Sequence, residues 1–296
     1  MNHSTGHCDV SIPDALRELV KPRIVGMVLV TTAIGYVLGG EAWAGWWTFL
    51  LTMTGTGLAA GGAAALNNYL ERDTDQHMPR TRNRVLPSGR IDPAVALAFG
   101  ILLVLGGVSL LASLVNLLAA FLVLLTAFLY VLVYTPLKKH TWWNTPIGAI
   151  PGALPPMVGW AAAANELSAG AWVLFAILFI WQHPHFYAIA WIFRDDYRQA
   201  GFRMLSVVDP SGRRVFRQAM GFSLALIPVS MSLTWLGITG DLYMFGASVA
   251  GAGMLAASVM LWNLRSAVAA RRVLMASVCY LPALLALILI DAGLPR

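Results

Sequence analysis

Residues 47–84 read WTFLLTMTGTGLAAGGAAALNNYLERDTDQHMPRTRNR. From Trp47 to Asn68 no side chain is charged, and then Leu66 to Arg84 holds seven charged side chains, in a chain that is 11% charged and 58% hydrophobic. An uncharged run of roughly 20 residues is the length a helix needs to cross a bilayer. The charge cluster at its end marks the place where such a helix leaves the hydrocarbon.

Similar runs recur near 23–40, 47–68, 93–113, 116–135, 143–162, 170–192, 218–238, 242–263 and 273–291, nine in all. With a mean hydropathy of +0.69, they predict an all-α, polytopic membrane protein of nine transmembrane helices. The expected division is a polar tail at 1–20 and a single transmembrane domain at 21–296.

Basic residues near helix ends stay on the cytoplasmic side. With nine spans, all of the 20 Lys and Arg except Arg296 fall on one side, whereas the opposite loops carry Glu41, Glu166 and Asp241. The amino terminus is therefore expected in the cytoplasm. This asymmetry accounts for the pI of about 9.6, so no nucleic-acid partner is expected. The start of the chain lacks the pattern of a cleaved secretory signal. Cys8 and Cys279 belong to different environments and predict no disulfide. His3, His7 and Cys8 are read as part of a disordered tail rather than as a metal site.

If the second helix continues through the charged stretch, Asn67, Glu71 and Asp75 stand at i, i+4 and i+8 on one face, drifting only about 40° per step. An amide oxygen and two carboxylates there suit a hard cation such as Mg²⁺, which bridges carboxylates to substrate phosphates. Arg80, Arg82 and Arg84 follow, with guanidinium forks that fit phosphate oxygens. Taken alone, the motif is as easily a loop whose acids offset topology-setting charges. A second cluster, WIFRDDYRQAGFRML, places Asp195 and Asp196 at the end of the sixth helix, and YTPLKKH supplies Lys138 and Lys139 between them. These loops share the expected cytoplasmic side.

The motifs NxxxExxxD with MPRTRNRVLPSGR (78–90), YTPLKKHTWWNTPIGAIPGALPPMVGW (134–160) and WQHPHFYAIAWIFRDDYRQAGFRML (181–205) resemble the UbiA superfamily of intramembrane prenyltransferases. Glu71, where quinone-type members carry Asp, points to its heme-farnesylating branch. Val85 departs from the proline usual there, and the adjacent Asp195 and Asp196 depart from a DxxxD spacing; Asp196 is preferred. The resemblance implies two four-helix halves around a central cavity in the cell (inner) membrane, with the active site facing the cytoplasm. It implies transfer of farnesyl from farnesyl diphosphate to a vinyl group of heme b, followed by addition of water, with membrane lipid around the chain. Heme A synthase or a terminal oxidase assembly system is the implied downstream partner. Asn67, Glu71, Asp75 and Asp196, with Asp195, would hold Mg²⁺, and Arg80, Arg84 and Lys138 would grip the diphosphate.

His185 lies eleven residues before Asp196, about three helical turns, and with His183 is a candidate heme ligand; a histidine satisfied by a neighbouring helix is the rival reading. Pro184 is expected to kink that helix. Gly148, Gly152, Pro155 and Pro156 read mainly as close packing and a bend, and Trp46, Trp47, Trp142 and Trp143 as an interfacial belt. Three other functions remain open: prenylation of a quinone-type aromatic ring, a transporter with intramembrane acids, and a heme-binding assembly factor. A transporter predicts charges at mid-bilayer, and an assembly factor tolerates neutralising Glu71 and Asp75.

Overall fold

The computed structural model describes residues 12–40 and 45–292, so His3, His7, Cys8, Glu41 and Arg296 lie outside it. Regular structure among the described residues is helical throughout. A short helix α1 (Ile12–Leu19) precedes α2 (Pro22–Gly39), α3 (Trp46–Asp75), α4 (Pro93–Leu114) and α5 (Leu117–Phe128). The last continues through a π-helical segment, Leu129–Tyr134, into α6 (Thr135–His140). Then come α7 (Asn144–Ala153), α8 (Pro155–Ala164), α9 (Ala169–Ile192), α10 (Arg194–Gln199), α11 (Leu205–Val208), α12 (Arg213–Trp235), α13 (Asp241–Leu264) and α14 (Ala267–Ala292).

Eight of these helical stretches are long and apolar enough to cross a membrane, and the chain is a multi-pass membrane protein. The stretch expected as a seventh span, 218–238, is a full-length helix, α12, yet it falls outside those eight. Its first turns carry Arg213, Arg214, Arg217 and Gln218, and Ser223, Ser230, Ser232 and Thr234 lower its apolar character further. Several of these are used internally: Ser223 pairs with Ser258 at 2.8 Å and Ser230 with Tyr280 at 2.6 Å. Large apolar side chains such as Leu102, Leu117, Phe121, Phe245 and Val249 stay exposed, as expected of surfaces whose solvent is lipid. Trp46, Trp47 and Trp143 are also exposed at helix ends, in keeping with a belt.

Where lipid removes the hydrophobic drive between helices, close backbone approach replaces it. A Cβ on Gly159 of α8 would collide with the carbonyl oxygen of Thr32, and one on Gly35 of α2 with that of Pro156. The same interlock joins α3 to α4, where a Cβ on Gly62 would lie 2.6 Å from the Gly100 carbonyl. The expected bend in the fifth span appears as the break at Leu154 between α7 and α8. There α8 packs on α2 and α5 while α7 packs on α9, so this span bridges α2–α6 to the group formed by α9, α12, α13 and α14. Gly152 accommodates Gln182, and Gly148 the Tyr134 ring. Helix α9 runs without interruption through Pro184. Among α2, α3, α5 and α8 lies an apolar cavity of about 30 Å³, walled by Val28, Thr56, Ala59, Val123, Ala127 and Val158.

Candidate active site

Helix α3 does continue to Asp75, past the apolar run, and so carries Asn67, Glu71 and Asp75 on one buried face at 1%, 6% and 1% exposure. Burial of two carboxylates demands partners. Lys138 Nζ donates to Glu71 Oε1 at 2.7 Å, and Arg84 Nη1 to Asp75 Oδ2 at 2.7 Å. Asp75 Oδ1 is buried with no hydrogen-bond partner. Asn67 Nδ2 donates to Thr135 Oγ1 at 3.0 Å, and its Oδ1 accepts from Lys21 Nζ at 2.9 Å.

Lys138 reaches Glu71 because the fourth span widens just before it. Pro136 has no N–H to continue an α-helical ladder, the segment Leu129–Tyr134 opens to π geometry, and the Thr135 hydroxyl donates to Tyr130 O at 2.8 Å. Such π segments recur at functional sites. Here it stacks the rings of Tyr130 and Tyr134 and places Lys138 Nζ 4.5 Å from the centre of the Tyr134 ring. Lys139, the next residue, faces outward.

Three loops meet over this face. After α3, Thr81 Oγ1 donates to Asp75 O at 2.9 Å, turning the chain so that Arg84 returns to the helix. Met78 packs with Ala190, Phe202 and Met204. The Arg80 guanidinium lies 4.7 Å from the Phe193 ring, with Nη2 3.4 Å from the Tyr197 hydroxyl. The loop after α10 is tied to α6: Arg203 N–H donates to Lys138 O at 2.8 Å, and buried Asn144 donates to Thr141 O and Arg203 O. Arg84 and Lys138 thus converge with Asn67, Glu71 and Asp75, while Arg80 is exposed and meets the second acidic motif through Phe193 and Tyr197.

The two adjacent aspartates part company. Asp195 is two-thirds exposed and bonds Arg198 at 3.0 Å, whereas Asp196 is half-buried. Among the described residues, no three His, Cys, Asp or Glu side chains gather as a metal-holding group; the carboxylates of α3 are instead held one helical turn apart, each by its own cation. The histidines of α9 also diverge. His183 is fully buried, stacked on Phe222 at 3.8 Å with Nδ1 2.7 Å from Phe179 O and Nε2 without a partner. His185 is half-buried, with Nδ1 2.8 Å from Ser277 Oγ.

Lys21 is the residue that sequence reasoning missed, having been counted only as a topology charge. The backbone there takes the left-handed conformation, φ 51°, which turns its side chain to Asn67. Burial first, and then the Arg84 guanidinium, push its ammonium down to about 7, against the pull of Glu71. Arg84 and Lys138, with the Lys21 amine beside them at Asn67, thus surround two carboxylates. The arrangement is poised for an added anion.

The sequence model of the UbiA prenyltransferase family matches residues 28–280. The chain belongs to the UbiA prenyltransferase family. Its similarity extends to a protoheme IX farnesyltransferase of Solibacter usitatus, 48% identical over 93% of this chain and 97% of that protein. One of Salinibacter ruber is 45% identical over 92% and 96%. Among solved structures, a digeranylgeranylglyceryl phosphate synthase superposes with a TM-score of 0.78 at 18% identity, covering 95% of this chain and 98% of that one. A UbiA homologue from Archaeoglobus fulgidus, bound to GPP and Mg²⁺, superposes with a TM-score of 0.65 at 14% identity, over 95% and 100%. At these identities the two structures establish the UbiA fold of this chain.

Proposed function

We propose that this chain is a protoheme IX farnesyltransferase of the cell membrane, with its site opening to the cytoplasm and its amino terminus on that side. The observation that carries the acceptor is the 48% identity, over nearly the whole chain, to a protein of that name. The geometry at the end of α3 supports the donor: a carboxylate face bordered by Lys21, Arg84 and Lys138, with Arg80 on the adjoining loop, fits a metal-bound prenyl diphosphate.

Asn67 Oδ1, Glu71 and Asp75, with Asp196 of α10, are the residues that would hold Mg²⁺, and the unpartnered, buried Asp75 Oδ1 fits that role. The metal supplies charge stabilisation to the leaving diphosphate. Arg84 and Lys138, bonded to Asp75 and Glu71, are the residues that would also grip the diphosphate oxygens, with Lys21 and Arg80 adding to the grip. The farnesyl C–O bond breaks with its electron pair leaving on the diphosphate, which these cations stabilise. The allylic cation forms a C–C bond to the terminal carbon of a heme vinyl group, and water adds to the carbon beside the ring and releases a proton. The farnesyl chain lies among the membrane helices below the site, where dry surroundings protect the cation. His185, the more accessible of the two histidines, is the better placed for heme iron.

Diphosphate release from farnesyl diphosphate tests this reading. Release stimulated by heme b and not by an aromatic acceptor such as 4-hydroxybenzoate supports it; the reverse pattern assigns the chain to aromatic prenylation.

A further inference from the structure

We infer that Glu18 is a positioning residue for the prenyl diphosphate, holding from α1 the loop that presents Arg84 to the site; this rests on the proposed reading that Arg84 grips the diphosphate. Glu18 Oε1 accepts from the Val85 N–H at 3.2 Å. Both of its oxygens accept from Arg90 Nη2, at 3.1 and 2.9 Å, and the same Nη2 donates to Asn83 O at 2.8 Å. The residues on either side of Arg84 are therefore tied to one carboxylate–guanidinium pair.

The anchor itself is fixed. Ala15 and Leu19 of α1 are buried against Val85, Leu86 and Ile91, Leu19 O accepts from Asn68 Nδ2 at 3.2 Å, and the chain then turns through Lys21 to reach Asn67. One corner of the chain thus touches both the metal-facing helix and the arginine loop. The need for such a tie is visible beside it. A cavity of about 220 Å³ opens among Glu18, Lys21, Asn68, Arg84 and Pro87, so packing alone does not confine the Arg84 side chain. Directed hydrogen bonds do the confining instead.

The test uses the full-length protein in detergent or nanodiscs, with farnesyl diphosphate binding measured in Mg²⁺ for Glu18→Ala, Glu18→Gln, Arg84→Ala and the double Glu18→Ala/Arg84→Ala, alongside backbone hydrogen exchange over 83–90. Glu18→Ala weakens binding about tenfold, as expected for loss of a charge-assisted hydrogen bond, speeds exchange over 83–90 and leaves the KM for heme b unchanged. Glu18→Gln recovers part of the affinity, since its amide oxygen still accepts from Val85. The double variant binds no more weakly than Arg84→Ala, because Glu18 acts through Arg84. Wild-type binding by Glu18→Ala beside a weakened Arg84→Ala overturns the inference and leaves the diphosphate reading standing, as does additivity in the double variant. Wild-type binding by Arg84→Ala overturns both. Glu18 is partly exposed, and the isosteric Gln keeps the comparison decisive even if the Ala variant is unstable.

Discussion

Neutralising Glu71 separates a catalytic carboxylate from a structural one. Its carboxylate accepts from Lys138 Nζ at 2.7 Å, with side-chain exposures of 8% and 15%. Glu71→Gln keeps an acceptor oxygen near the same place and removes the charge. Lys138 keeps its charge and a hydrogen bond but loses its counter-charge; breaking a buried ion pair outright costs about 3–5 kcal/mol, so with the hydrogen bond retained the stability loss is expected at about 2–3 kcal/mol, or several degrees in Tm. The effect on the reaction is larger. A metal ligand that supports charge developing on the leaving group acts in the transition state, where one such contact is worth about 3–4 kcal/mol, a factor of about 10²–10³ in kcat. The assay is single-turnover farnesyl transfer at saturating Mg²⁺, with a parallel melt. Activity within about threefold of wild type, in a protein that melts several degrees lower, would refute the assignment and leave Glu71 as no more than a partner for Lys138.

The paired aspartates give a contrast: Asp195→Asn loses only exposed ion pairs to Arg194 and Arg198 and retains activity within about threefold, whereas Asp196→Asn lowers kcat by about 100-fold or more. Gly159→Ala drives a methyl into the Thr32 carbonyl, a backbone atom that cannot rotate away, and destabilises by about 3 kcal/mol or more; Gly253→Ala, with nothing within 4 Å, leaves the melting temperature unchanged or raises it. Asp209 accepts from the Arg214 N–H at 2.7 Å and from Ser211, capping the first turn of α12. Its slight burial pushes the carboxyl up, but these hydrogen bonds outweigh it and hold it below the ordinary value. A depressed carboxylate stabilises the fold above its unfolded pKa and loses that contribution as pH falls through the folded one. Asp209→Ala is therefore less stable by about 1 kcal/mol at neutral pH, and the gap to wild type closes in melts taken below pH 4.

Much of the site was legible because a helix keeps its period across the membrane boundary. The spacing of Asn67, Glu71 and Asp75 needed only the continuation of α3, and the basic character of YTPLKKH marked Lys138. Other features depend on tertiary geometry that period and composition do not carry. Lys21 enters the site through a left-handed corner, and a lysine at the start of a span reads equally well as a topology charge. Glu18, in a stretch taken for polar tail, belongs to a helix packed on the arginine loop. The π segment follows from Pro136, whose missing N–H is visible in sequence but whose effect on register is not. The separation of Asp195 from Asp196 rests on one residue of helical rotation. Helix α12 falls outside the eight apolar spans because of its first-turn arginines and its polar side chains, of which the buried Ser223 and Ser230 pair with Ser258 and Tyr280.

The most direct test of the account is incubation of the purified protein with heme b, farnesyl diphosphate and Mg²⁺, followed by mass analysis of the extracted hemes for wild type, Glu71→Gln and Asp75→Asn. The account predicts a heme heavier by one farnesyl group and one water-derived hydroxyl in the wild type, and about 100-fold or more less of it in both variants. Unmodified heme from a folded wild-type protein that binds both substrates would contradict it.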